Sequence, residues 1–291
     1  MKNASTPIEI LGNIVKKYSP DLSFSIFEIG AAPVVDEQES FYKLAEIFPK
    51  SKISAFEVDE AVCADLNIKS RSNITYYPTA LGSRNGEQVF YETNAPMCCS
   101  LYQPNDAFNS KYNNLEVALL KSKSTIKTTT LDTFIQDNSI DTIDFIKIDV
   151  QGAELDIFKG GIKAMANTLL VVSEVEFVPL YIDQPLFGDV CQHFTTQGLM
   201  FHKFLKLEGR TLKPIVLKND INAATQHMWS DAVFIKDIAK IDALSSDNIL
   251  KLSLLAFLYG SADLTFYCFQ IYDDREKTTI CDDFAKLASR K

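Results

Sequence analysis

The sequence has no run of lysine or arginine, no Cys-x-x-Cys pair and no uninterrupted apolar stretch of membrane length. Each absence removes a class of function. A formal net charge of -9 with no basic cluster leaves nothing to grip a phosphate backbone, so no nucleic-acid partner is expected. The six cysteines are scattered apart from the adjacent Cys98 and Cys99, a spacing that fits neither a metal site nor a disulfide framework. Reduced thiols and a cytoplasmic location are the expectation. The most apolar late stretch, residues 252–272, is broken by Ser253, Gly260, Ser261, Asp263 and Gln270, so membrane insertion is not expected. The opening residues read as a helix cap and an amphipathic helix rather than a secretory leader.

Several apolar runs alternate with helical patterns. SFSIFEIG, KISAFEVD, ITYYPTALG, DFIKIDV and TLLVVSEVEF read as buried strands, and GLMFHKFLKL and WSDAVFIKD as a final pair with no helix between them. Such alternation predicts an α/β domain built on a mostly parallel sheet, with helices on both faces and an antiparallel addition at one edge. The expected organisation is an N-terminal helix over residues 1–22, the main domain over 23–239 and a C-terminal helical appendage of two helices over 240–291. Residues 93–127 read as a long irregular segment carrying Met97, Tyr102, Phe108 and Tyr112, fit to form a lid.

In an open parallel sheet, ligands bind beyond the carboxyl ends of the strands. The proposed strands bring Glu28 and Gly30, Glu57 and Asp59, Ala80 and Leu81, Asp149, and Glu174 and Glu176 to that edge. A glycine after the first strand lets a ligand approach the backbone closely. An acid after the second can accept both hydroxyls of a ribose. Yet the first turn, G-A-A-P-V-V, lacks the G-x-G-x-x-G cradle of a dinucleotide. A nucleoside without phosphate, carrying a cationic sulfonium that acidic neighbours attract, fits better. S-adenosyl-L-methionine is such a compound.

The blocks IFEIGA (26–31), AFEVD (55–59), TALGSRNG (79–86), TTTLDTF (128–134) and IDFIKIDVQGAELDIFKGG (143–161) resemble the FkbM family of S-adenosylmethionine-dependent methyltransferases. EVEFVPLY (174–181) and MWSDAVFIKD (228–237) resemble its later blocks. The resemblance implies a class I methyltransferase (Rossmann-like) fold with a seven-stranded sheet. It implies O-methylation of a hydroxyl on a sugar, glycan or secondary metabolite, so the partner is a small-molecule or glycan acceptor; self-association stays open. By the family pattern Glu28 and Gly30 line the amino-acid end of the cofactor and Glu57 its ribose; Ala31, Val58, Ala80 and Leu81 are expected as further cofactor contacts, the small Ala80 leaving room for a flat base. Asp149 stands near the methyl group and the acceptor. The loop 32–37 departs from the family, which has an asparagine and a further glycine there.

Asp149 is the first choice for base or acceptor anchor, against a plain helix-capping role. Only one of Glu174 and Glu176 is expected to face the cleft, and Glu174 is taken as that one. Of the three histidines His193, His202 and His227, the last, beside the Trp229 block, is the best candidate base. Glu154 reads as a first-turn helix acid, and Asp231 as a candidate for the acceptor side. Nothing in the spacing demands a metal. Two rival readings remain open: a degenerate methyltransferase fold used as a binding or scaffold module, and a nucleotide-dependent oxidoreductase.

Overall fold

The computed structural model describes residues 6–31, 39–220 and 223–288. In chain order the strands are β1 (Ser25–Ile29), β2 (Lys52–Glu57), β3 (Ile74–Pro78), β4 (Ala80–Leu81), β5 (Gly86–Thr93), β6 (Leu120–Thr129), β7 (Phe145–Ile148), β8 (Leu170–Glu176), β9 (Leu199–Glu208) and β10 (Trp229–Lys236). Seven of them form one sheet in the order β3-β2-β1-β7-β8-β10-β9. β1, β2, β3, β7 and β8 run parallel. β10 is antiparallel to both its neighbours, β8 and β9. This is the class I, Rossmann-like arrangement, and its single reversed strand explains why the last two apolar runs have no helix between them.

The helices are α1 (Pro7–Val15), α2 (Tyr42–Ile47), α3 (Glu60–Lys69), α4 (Asp106–Asn109), α5 (Leu131–Asp137), α6 (Glu154–Lys159), α7 (Phe187–Thr196), α8 (Ser246–Leu258), α9 (Ala262–Glu276) and α10 (Ile280–Ala288). They divide between the two faces of the sheet. Strand residues alternate in facing, so Phe27, Ile146, Ile148, Val171 and Phe234 pack against α5, α6 and α7 through Phe134, Phe158 and Phe194. Their neighbours Ile26, Phe145, Val172 and Val233 pack against α1, α2 and the last three helices through Leu11, Leu44, Leu250 and Phe269. Every residue of β7, Lys147 included, is consequently buried.

The carboxyl-terminal part has three helices where two were expected, because Gly260 and the loop near Thr278 each interrupt the helical pattern. These helices share one core with the sheet. Lys251 of α8 also reaches Asp144, just before β7, at 2.9 Å. The irregular segment 93–127 is corrected too. Its last third is β6, which pairs antiparallel with β5 and parallel with β4 in a separate three-stranded sheet. β6 reads Leu-Lys-Ser-Lys-Ser-Thr-Ile-Lys-Thr-Thr and is largely exposed, so no apolar alternation announces it. β4 belongs to this second sheet and does not extend β3.

Candidate active site

The sheet register brings the predicted acids together. Ile29 pairs with Phe56 on one side and Ile148 on the other, Ile148 pairs with Ser173, and Glu174 with Asp231. One step further towards the carboxyl ends, Glu57, Gly30, Asp149, Glu174 and Asp231 follow one another across five strands. A cavity of about 530 Å³ opens beyond this row. Gly30, Glu57, Val58, Ala80, Leu81 and Asp149 all line it. Segments 95–101 and 114–118 roof it, and Tyr181, Arg210 and Trp229 close the β10 end. The segment read as a lid therefore does wall the cavity. Tyr102 does not, because its hydroxyl donates to Asp156 at 3.1 Å.

Gly30 has a reason of its own to be glycine. Its φ is +85°, and a Cβ there would stand 1.9 Å from the carbonyl oxygen of Asp149. No side chain is tolerated at that approach. The amides of Gly30 and Ala31 both donate to the Phe56 carbonyl, at 3.1 and 2.9 Å, which fixes the chain as it leaves β1.

After β7 the chain turns sharply, with Gln151 at φ +59° and Gly152 at φ +94°. A left-handed glutamine costs on the order of 1–3 kcal/mol and persists only where its surroundings hold it. Here they do. Its amide nitrogen donates to Asp149 Oδ1 and to Glu174 Oε2, each at 2.8 Å, while its amide oxygen accepts from the Tyr181 hydroxyl at 3.1 Å. Glu154 closes the turn from below, accepting from the amides of Val150 at 2.8 Å and Gly152 at 3.2 Å. Glu154 stands in the first turn of α6, as the sequence reading has it, and also holds the preceding turn.

Four carboxylates, those of Asp149, Glu154, Glu174 and Glu176, crowd this point. Burial pushes Glu154 up to about 7, against the pull of the Val150 amide. Burial also holds Glu174 and Glu176 well above the usual carboxylate range; Asp149 adds to the rise at Glu174, and Glu154 then Asp149 at Glu176. Burial alone would lower Lys147, but Asp149 and Asp231 outweigh it and raise it. Lys147 is already committed to Asp231 Oδ1 at 2.7 Å. The site gathers more carboxyl groups than it has cations to match, and burial keeps protons on Glu154, Glu174 and Glu176. Oxygens of Asp149, Glu154 and Glu174 lie within 4.8 Å of one another, near enough to share an ion, although Glu154 already serves two backbone amides.

Four predicted residues stand apart, the first being Asp231, which does not line the cavity and pairs with Lys147. Glu28 does not line the cavity; set back from the carboxyl edge beside Lys147, it accepts from the Tyr42 hydroxyl and is pushed by burial up to about 7. Ala31 is buried off the cavity. His227 is exposed and also lies off it. Glu176 joins the site beside Glu174, since residues two apart on a strand share a face. The divergent loop 32–37 lies outside the described residues. Gln151, Tyr181, Arg210 and the roof cysteine Cys98 are site residues that the sequence reading did not single out.

The model of the methyltransferase FkbM domain matches residues 28–200. A 2-O-methyltransferase, NoeI, of Sinorhizobium fredii (strain NBRC 101917 / NGR234) is 24% identical over 147 residues, which cover 49% of this chain and 60% of that protein. The chain thus spans less than two thirds of the length of the curated relative it matches. Among solved structures, a proposed methyltransferase from Thermoplasma acidophilum aligns at 9% identity and TM-score 0.32, over 74% of this chain and 69% of its own. An uncharacterized protein from Listeria monocytogenes serotype 4b aligns at 11% identity and TM-score 0.34, over 97% of this chain and all of its own. With the family model spanning more than half of its length, from the end of β1 into β9, the chain belongs to the FkbM methyltransferase domain family.

Proposed function

We propose that this methyltransferase uses S-adenosyl-L-methionine and methylates a hydroxyl oxygen of a small-molecule or glycan acceptor. The observation that carries the reading is the row Glu57, Gly30, Asp149 and Glu174 along one cavity edge, with its surplus of carboxyl groups. The residues fit the cofactor. Glu57 stands at the end of β2, where an acid accepts a ribose diol. Ala80, Leu81 and Phe56 offer an apolar slot for a flat base. The carboxyl groups of Asp149 and Glu174 would face its positive charge, and neither forms an ion pair among the described residues.

When bound, the cofactor supplies a methyl group on an electron-poor sulfonium. The chain supplies position and a proton acceptor. Gln151 fixes one oxygen of Asp149 and one of Glu174. Burial, with Asp149 beside it, holds the proton affinity of Glu174 well above the usual carboxylate range. A carboxylate of raised proton affinity is a better base for an alcohol than an ordinary one, so Glu174 in its ionised form takes the acceptor's proton. The roof segments exclude water, and orientation of the two reactants accounts for much of the barrier reduction.

The test is incubation with methyl-¹³C donor and a panel of sugars and polyols, followed by carbon NMR of the products. A new O-methyl signal that disappears in Glu174→Gln supports the reading. Label on nitrogen or carbon acceptors alone, or none on any acceptor, counts against it.

A further inference from the structure

Arg210 is the one cationic side chain that lines the cavity among the described residues. It lies in the link between β9 and β10, where Gly209 passes so close to Gln226 that a Cβ would stand 2.2 Å from its carbonyl oxygen. That close passage sets the guanidinium on the ring of Trp229, 4.7 Å from the centroid. Arg210 Nη1 donates to the Gly209 carbonyl at 2.8 Å. Its Nε is buried and donates to no described residue.

The neighbouring cations are all spoken for. Lys147 pairs with Asp231, Lys206 with Glu208 and Lys213 with Glu116. Arg210 makes no ion pair among the described residues. Burial lowers its proton affinity, although Glu208 and Asp220 act in the opposite direction. A planar fork of donors, stacked on an aromatic ring and turned into a cavity, is the arrangement that holds carboxylates and phosphates in two-point contact.

Its place in the fold decides which ligand it serves. Gly30 directly follows β1, and β10 lies three strands away from β1 in the sheet order. At about 4.8 Å per strand that separation is roughly 14 Å. Arg210 therefore stands at the far end from the ribose acid Glu57, past Asp149 and Glu174, on the side left for the acceptor. We infer that the methyl acceptor carries, besides its reacting hydroxyl, an oxyanion group such as a carboxylate or phosphate, and that Arg210 on Trp229 selects it. The inference rests on the methyltransferase reading of the same cavity.

The experiment uses the full chain labelled with ¹⁵N-arginine and saturated with S-adenosylhomocysteine. Methyl glucuronide, methyl glucoside 6-phosphate and uncharged methyl glucoside are titrated separately, and the Nε–H signal of Arg210 is assigned from its loss in Arg210→Lys. A charged sugar is expected to move that signal and to bind about ten-fold or more tightly than the neutral one, an advantage that Arg210→Ala removes. The glucuronide and phosphate arms tell which oxyanion is preferred. Equal binding of charged and neutral sugars, or no shift with either charged sugar, overturns the inference while S-adenosylhomocysteine binding keeps the methyltransferase reading intact. Loss of S-adenosylhomocysteine binding in both Arg210 variants also overturns it, by placing the arginine in the cofactor's half. Failure of S-adenosylhomocysteine to bind the unaltered chain speaks against the underlying reading instead.

Discussion

The two halves of the cavity edge carry acids for different reasons. At the β1–β2 end, Glu57 is half-buried, with Oε1 accepting only from the amide of Asp59 at 3.0 Å. At the β7–β8 end, Glu154 and Glu176 are buried, and Glu174 and Asp149 are half-buried beside them. A half-exposed acid with one hydrogen bond costs the fold little, whereas a crowded cluster of carboxyl groups is a standing liability. On the proposed function, the first half would recognise the cofactor by shape and hydrogen bonds, the second by charge.

Four substitutions sharpen this contrast. The largest effect belongs to Gly30→Ala, which forces a methyl into the Asp149 carbonyl at a left-handed φ. A loss of about 3 kcal/mol or more in urea unfolding is expected, with both halves of the site disordered together. Next comes Glu174→Gln, which separates function from stability. Transfer is expected to fall by about a hundred-fold or more, measured as product per time at saturating donor. Stability moves the other way. A carboxyl whose proton affinity is raised on folding stabilises the protein at low pH and loses that contribution as pH rises. For Glu154 the loss runs from about 4.5 to about 7. Glu174 loses its contribution over a range that reaches further up. Removing one charge of the cluster is therefore expected to raise the melting temperature at pH 8 and leave it nearly unchanged at pH 4.

Glu57→Ala tests the other half. It is expected to weaken S-adenosylhomocysteine binding by about ten-fold to a hundred-fold in calorimetry, with the melting temperature held, because a half-exposed acid with a single backbone hydrogen bond is lost. A drop in stability of similar size to that of a buried residue would erase the distinction between the halves. The smallest effect is predicted for His227→Ala. The side chain is exposed and off the cavity, so turnover and its pH profile are expected to stay as in the parent chain.

Much of this was legible in the sequence because the central strands are buried on both faces and read as continuous apolar runs. Asp149 and Glu174 stood out for the same reason: a charge at the end of such a run breaks its pattern. Glu176 was misjudged by facing, since two residues along a pleated strand return to the same side. β6 was hidden because a polar strand shows no period, although its threonines and isoleucine are β-formers. Arg210 gave no local signal. It matters only because the chain folds Gly209 against Gln226 and lays the guanidinium on Trp229, a contact between residues 19 positions apart. Glu28 lay in the right motif yet sits back from the carboxyl edge, taken up by Tyr42.

The central claim, that the crowded carboxyl groups await a cationic ligand, is tested most directly by counting protons. Titrations of S-adenosylmethionine and of S-adenosylhomocysteine are run near pH 7 in buffers of differing ionisation enthalpy, and the slope of apparent binding heat gives protons exchanged. The sulfonium should drive protons off the Glu154, Glu174 and Glu176 cluster, so the methionine compound releases protons and the uncharged-sulfur compound releases fewer. Equal release by both ligands, or none by either, would contradict a cluster built to hold positive charge.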